Sequence, residues 1–197
     1  MKIAALIMAA GQASRFKGCK HLAQIDKYNM LQQAITTLQA TKTDDIYIVS
    51  GAWHDEFTKE KQHKKLQSSH IIHYNNWSNG LGSSIAFAVT QLAQNYDAIL
   101  ITLADQVAVT TEDLSKLLTA FKGENIACAV YAEKRGCPAI FGANSYQQLM
   151  SLSGDSGAKS VLYHKSNTVS DCNMPNAAID IDTKQQLCQW QARLKSQ

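Results

Sequence analysis

Proline is scarce, at 2 of 197 residues, which excludes Pro-rich linkers and polyproline spacers. The five cysteines, Cys19, Cys128, Cys137, Cys172 and Cys188, are odd in number and contain no C-x-x-C pair. A disulfide framework and a zinc site are therefore not expected, and reduced thiols in a cytoplasm are the simpler reading. No apolar run reaches the roughly 18 residues that a membrane span requires. Charge is also modest, with 18% charged residues and a net charge of +3. That excess suits an anionic small molecule and is too slight for a nucleic-acid surface. The one basic stretch, residues 59–65, reads as the solvated face of a helix.

What remains is the composition of a globular chain, 45% hydrophobic, expected to form a single domain over residues 1–197 and to bury its apolar surface without covalent staples. The opening Met1-Lys2-Ile3-Ala4-Ala5-Leu6-Ile7-Met8 has the lysine and apolar run of a secretion signal. It flows directly into a polar loop with Arg15, Lys17 and Lys20, so a buried strand followed by a ligand loop fits better. Similar apolar runs at residues 45–50, 71–74, 97–103 and 126–131 predict further strands covered on both faces. Between them, Met30, Leu31, Ala34, Ile35 and Leu38 keep helical spacing, as do Ile85, Val89 and Leu92, and Leu114, Leu117, Leu118 and Phe121. Thr110 or Thr111 ahead of Glu112 and Asp113 marks a helix start. Leu187, Trp190 and Leu194 form the packing stripe of a last helix. The alternation predicts an α/β fold with a mostly parallel sheet and right-handed crossovers.

Ligands of such sheets bind beyond the carboxyl ends of the strands. The first strand leads into Ala9-Ala10-Gly11-Gln12-Ala13-Ser14-Arg15, with Lys20 shortly after. Small residues admit a ligand close to the backbone, whose N–H groups can cradle phosphate. Arg15 adds a bidentate fork and Lys20 a mobile charge. Neither the Walker A spacing nor G-x-G-x-x-G is present. The bland alternative is a basic surface turn.

Leu6-Ile7-Met8-Ala9-Ala10-Gly11 with Ser14, Arg15 and Lys20 resembles the signature of the sugar-nucleotidyltransferase-like superfamily. The chain is most similar to its molybdenum-cofactor branch, the MobA-like NTP transferases, and there to the cytidylyltransferases. The resemblance implies a three-layer α/β/α, Rossmann-like fold of the nucleotide-diphospho-sugar transferase type. Further blocks carry it. Trp77-Ser78-Asn79-Gly80-Leu81-Gly82-Ser83-Ser84 resembles a base-facing segment and adds Gly80, Gly82, Ser83 and Ser84 to Ala9, Ala10, Gly11 and Ser14 as expected nucleotide contacts. By itself the segment also reads as a turn with Ser83 or Ser84 as helix cap. Thr102-Leu103-Ala104-Asp105-Gln106 ends the strongest strand, and an acid there suits Mg²⁺, which takes one or two carboxylates plus phosphate oxygens. It resembles the A-D-[QM]-P block, with Asp105 as metal ligand and Val107 in place of proline.

Arg135-Gly136-Cys137-Pro138-Ala139-Ile140-Phe141 resembles a block near the acceptor, and Leu152-Ser153-Gly154-Asp155-Ser156-Gly157-Ala158-Lys159 resembles the family's L-x-G-D-x-G-[AV]-[RK] block. Asp155 reads equally as a cap for a helix starting near Ser156. Ile179-Asp180-Ile181-Asp182-Thr183 resembles the closing block that brings a second metal ligand; alternation puts Asp180 and Asp182 on one face. Lys184-Gln185-Gln186 replaces P-E-D, which should weaken the cap of the last helix. The implied reaction is nucleotidyl transfer from an NTP to molybdopterin or another phosphorylated acceptor, with Arg15, Lys20 and Asp105 as catalytic residues. Metal is expected at Asp105, Asp180 and Asp182. Ala10 in the small-residue run favours CTP. A molybdoenzyme is expected to receive the product, with neither nucleic acid nor membrane as a partner. The alternatives are a sugar- or polyol-phosphate acceptor, or a non-catalytic molybdopterin carrier.

Overall fold

The computed structural model describes residues 1–63 and 65–196. Lys64 of the basic stretch and the terminal Gln197 lie outside the described residues. Seven strands form one sheet: β1 (Ile3–Ala9), β2 (Asp45–Ser50), β3 (His70–His73), β4 (Ala98–Leu103), β5 (Ile126–Tyr131), β6 (Lys134–Gly142) and β7 (Val169–Asn173). Their spatial order is β3-β2-β1-β4-β6-β5-β7. Among the described residues only β6 runs against the others, pairing antiparallel with both β4 and β5. The five strands expected from apolar runs are all present, β1 and β3 each displaced by one residue. β6 and β7 were not anticipated.

The helices are α1 (Met30–Gln39), α2 (His54–Gln62), α3 (Leu81–Leu92), α4 (Thr111–Ala120), α5 (Tyr146–Met150), α6 (Lys159–Leu162) and α7 (Lys184–Lys195). Alternation along β1 divides the core into two layers, because successive side chains leave opposite faces. Ile3, Ala5 and Ile7 face Leu31 and Ile35 of α1, Phe57 of α2 and Leu114 and Leu117 of α4. Ala4, Leu6 and Met8 face Ile85, Val89 and Leu92 of α3, Leu149 of α5 and Val161 of α6. Both faces of β1 are thus sealed, and all seven of its residues are buried. Each such Leu or Ile contributes roughly 1.5–3 kcal/mol over leaving it in water.

Helix α4 starts as expected: Thr110 accepts from the Asp113 N–H and Asp113 reaches back to Thr110. β1 is the switch point of the sheet. β2 and β3 extend to one side of it and β4 and β6 to the other, so a crevice opens beyond the carboxyl ends of β1 and β4. Among the described residues no helix is long and apolar enough to cross a membrane.

Candidate active site

The loop after β1 is anchored at both ends. Ala9 and Ala10 are 2% and 6% exposed, their methyls packed into the two core layers. Phe16, equally buried, inserts into a third apolar cluster with Ile25, Met30, Val107 and Ile181. Between these anchors the chain turns at Ala13, and Phe16 N–H donates to its carbonyl at 2.9 Å. Arg15 is left with a largely exposed side chain directed at Asp182, its Nη2 2.7 Å from Oδ2. Lys20 begins a single 3₁₀ turn, Lys20–Leu22, and is only 7% exposed.

Asp105 follows the end of β4, as expected. Its Oδ2 accepts from Lys20 Nζ at 2.6 Å, and the same ammonium donates to Asp182 Oδ1 at 2.9 Å. The main chain enforces this meeting: Ile181 N–H donates to the Asp105 carbonyl at 3.1 Å, which lays residues 180–182 beside the end of β4. The Gln186 side-chain oxygen accepts from the N–H groups of Asp182 and Thr183, each at 2.9 Å. Thr183 in turn accepts from Gln186 N–H. This is a complete capping box, so the expected weakening of the last helix by loss of P-E-D is corrected: Gln186 performs the closure that an acid would.

Burial would lower the Lys20 pKa, but the Asp105 and Asp182 carboxylates outweigh it and raise the value above the ordinary 10.5. Burial would raise that of Asp182, but Lys20 and Arg15 hold it below the usual carboxylate value. Asp180 goes the other way, raised first by burial and then by the neighbouring charges of Asp182 and Asp105. Asp180 does not line the crevice; it faces a separate hollow with Trp190 and Arg193. Of the two alternating acids, Asp182 lines the crevice, and Asp180 stands beside it, within hydrogen-bonding reach of the Asp182 carboxyl.

The crevice, of about 660 Å³, is bounded by the β1 loop on one side and by the start of α3 on the other. Ala9, Ala10, Gly11, Ser14, Arg15, Lys20, Gly80, Ser84, Asp105 and Asp182 all line it. Gly82 and Ser83 do not. They turn toward the loop after α5, where Gly82 N–H donates to the Gly154 carbonyl and Ser83 Oγ accepts from Gly154 N–H. A Cβ on Gly82 would lie 2.9 Å from the Ser153 carbonyl, so this glycine serves close packing. Neither serine caps α3, since both hydroxyls donate back to carbonyls of the preceding turn. Gly80 occupies the N-cap position at φ 98°, a conformation that L side chains resist.

Asp155 caps no helix: α6 starts at Lys159 without a side-chain cap. It lines the crevice beside Gly80 instead. Arg135 is turned away from it. Its guanidinium clasps Asp171 at 2.7 and 3.1 Å and donates to the Leu162 carbonyl, tying β6 to β7 and α6. Lining residues that were not expected as contacts include His21, Trp77 and Leu81. His21 lies next to Lys20, 4% exposed and with no partner for Nδ1. Trp77 and Leu81 sit within the segment already singled out, where only its glycines and serines were expected to make contact.

The donor set fits a hard divalent cation. Two carboxylates already flank a cation, the Lys20 ammonium, and Asp105 Oδ1 is buried without a hydrogen-bond partner. Among the described residues no group of three His, Cys, Asp or Glu forms a ready cage, which suits an ion that completes its shell with water and phosphate oxygens.

Comparison with known proteins adds the following. The sequence profile of the MobA-like NTP transferase domain matches residues 5–169, a span that stops short of Asp182. A nicotine blue oxidoreductase from Paenarthrobacter nicotinovorans is 26% identical over 196 residues, covering 94% of either chain. A phosphoenolpyruvate guanylyltransferase from Thermobaculum terrenum is 23% identical over 165 residues, 77% of this chain and 68% of its own. Among solved structures, Rv0371c of Mycobacterium tuberculosis superposes with a TM-score of 0.84 at 18% identity, over 98% of both chains. That protein has also been solved in complex with manganese. The fold is of the nucleotide-diphospho-sugar transferase type.

Proposed function

Because the chain belongs to the MobA-like NTP transferase family, we propose that it transfers a nucleoside monophosphate from an NTP, CTP in our reading, to the phosphate of molybdopterin, releasing pyrophosphate. The observation that carries this reading is the convergence of Arg15, Lys20, Asp105 and Asp182 at the carboxyl ends of β1 and β4. Facing them is a wall without cations, formed by Trp77, Ser78, Gly80, Leu81 and Ser84, with room for a base.

In the reaction an acceptor phosphate oxygen forms a bond to the α-phosphorus as the bond to the pyrophosphate oxygen breaks. A phosphate monoester arrives already ionised, so the chain need not supply a strong base, and positioning with charge neutralisation does the catalysis. Backbone N–H groups around Gly11 hold the triphosphate. Arg15 takes phosphate oxygens by its fork, and Lys20 follows the charge onto the departing pyrophosphate. Asp105 and Asp182 would hold Mg²⁺, which when bound neutralises phosphate charge as a Lewis acid. Trp77 supplies a flat apolar surface and Ser84 a close backbone approach for the base. A single methyl such as that of Ala10 discriminates between bases by about 1–3 kcal/mol at most. Since that methyl is packed into the core, the choice of CTP rests on the resemblance of the β1 loop.

The test is pyrophosphate release with each of the four NTPs against molybdopterin, sugar phosphates, polyol phosphates and phosphoenolpyruvate, with Asp105→Asn as the control. CTP- and molybdopterin-dependent release, lost in the variant, supports the reading. Release with another acceptor moves the chain to a different transferase. Molybdopterin binding without release makes it a carrier. Because a relative matched over 94% of its length is named as an oxidoreductase, oxidation of a reduced nicotinamide nucleotide by an added quinone or dye as electron acceptor is followed in parallel, and turnover there without pyrophosphate release overturns transfer.

A further inference from the structure

We propose that Lys20 holds the cation position between Asp105 and Asp182 until nucleotide arrives, and surrenders it by swinging onto the phosphates. The inference deepens the metal assignment above and depends neither on the acceptor nor on the base. Its ground is that one ammonium satisfies both carboxylates, at 2.6 Å to Asp105 Oδ2 and 2.9 Å to Asp182 Oδ1, on the inner wall of the crevice where Lys20 is 7% exposed. Arg15 closes the other oxygen of Asp182 at 2.7 Å. Two positive and two negative groups thus form a neutral set, and a divalent ion entering with Lys20 in place would meet an ammonium where it needs oxygen.

Two features mark the arrangement as unfinished, not as a permanent ion pair. Asp105 Oδ1 is buried without a partner, and His21, 4% exposed and lining the same crevice, has an unpartnered Nδ1. A closed structural network spends its buried polar atoms, whereas this one keeps an oxygen and a ring nitrogen in reserve beside the lysine. The flexible stem of lysine allows its head to change partners over several ångströms. A triphosphate carries more negative charge than these two carboxylates, one of which, Asp182, is already shared with Arg15. Departure of Lys20 then leaves Asp105 without a positive partner and Asp182 with Arg15 alone, which raises their affinity for a cation. Binding of nucleotide and of metal is thereby coupled through one side chain.

The experiment measures Mn²⁺ binding to the full chain by the EPR signal of free Mn²⁺, alone and with α,β-methylene CTP. Wild type, Lys20→Met and Lys20→Met/Asp105→Asn are compared, with melting curves to establish folding. Wild type should bind Mn²⁺ about tenfold or more tightly with the analogue than alone. Lys20→Met should bind Mn²⁺ alone about tenfold or more tightly than wild type does, and the double variant should lose that gain. Where the methionine variant melts early, Lys20→Gln must show the same gain. Unchanged or weaker Mn²⁺ binding on loss of the Lys20 charge overturns the proposal, as does wild-type binding of Mn²⁺ alone as tight as with the analogue. The arm with metal alone involves neither nucleotide nor turnover, so a failure of the transfer reaction is distinguishable from a failure of this coupling.

Discussion

His21 permits a direct test of the electrostatics of the crevice. It is 4% exposed, and its ring meets the Phe57 ring edge-on with centroids 6.1 Å apart. Burial, reinforced by Lys20 and opposed by Asp105, carries its titration down from 6.5 to about 4. In the unfolded chain the same histidine takes up its proton near 6.5. Below that pH the unfolded state therefore binds more protons, and stability must fall as pH falls from 6.5 toward 4. At about 1.4 kcal/mol for each pH unit the full loss is roughly 3 kcal/mol, and the part expressed between pH 7 and pH 5 is about 2 kcal/mol. His21→Leu removes the titration at similar volume and leaves no buried polar atom. Urea melts of both proteins at pH 7 and pH 5 should show wild type losing about 2 kcal/mol more than the variant, a difference of roughly one molar in midpoint. The depressed titration of Asp182 lies below 3.8, outside this window, and other groups cancel in the comparison. If the two proteins lose stability in parallel, His21 is not held neutral by the fold and the description of the crevice is wrong.

Three further outcomes follow from named contacts. Asp105→Asn should melt earlier than wild type, because it removes a charge partner of the buried Lys20, and in the folded protein lower kcat by roughly a hundredfold or more, since an amide is a far weaker ligand for a divalent ion than a carboxylate; normal turnover at ordinary Mg²⁺ would remove Asp105 from the mechanism. A Cβ at Gly51 would lie 2.5 Å from Trp77 Cβ and 2.6 Å from the Ala10 carbonyl, so Gly51→Ala should cost roughly 1–3 kcal/mol and weaken nucleotide binding by displacing both walls of the crevice, read by thermal melting and by titration with CTP. Ala132 and Glu133 form the β5–β6 turn at φ 48° and 59°, so Ala132→Asn with Glu133→Gly should stabilise the chain by about 1–2 kcal/mol without altering pyrophosphate release; an unchanged or lower urea midpoint would refute the strain assigned to this turn.

Most of the strands that could be read from the sequence are covered on both faces; β3 is the exception, an edge strand whose Ile71 and Ile72 are only half-buried, against the expectation of cover on both sides. β1, β2, β4 and β5 carry near-continuous apolar runs because helices lie above and below them. β6 begins with Lys134, Arg135 and Gly136 and contains Pro138, and the turn before it has left-handed Ala and Glu where Asn-Gly would have announced a hairpin. β7 has one neighbour, β5, and half-exposed residues along its length, so it lacks both the apolar run and a clean alternation.

The same distinction governs the site. In a parallel sheet the carboxyl ends of neighbouring strands share an edge however far apart they lie in the chain, so the Gly11 loop and Asp105 could be expected to meet. Asp182 follows no strand end in this sense. It lies 162 positions from Lys20, on a segment outside the ladder, and its i, i+2 relation to Asp180 gives both acids the same face. That Asp182 lines the crevice follows from one main-chain bond, Ile181 N–H to the Asp105 carbonyl, and from the Gln186 oxygen that fixes Asp182 N–H. Neither has a signature in composition or period, because each joins groups that every residue or any glutamine could offer. Lys20 carries the point furthest. As a residue type beside a phosphate loop it reads as a phosphate ligand, yet without nucleotide its nearest anions are carboxylates. Which anion it serves is decided by what else occupies the crevice, a variable that the sequence does not contain.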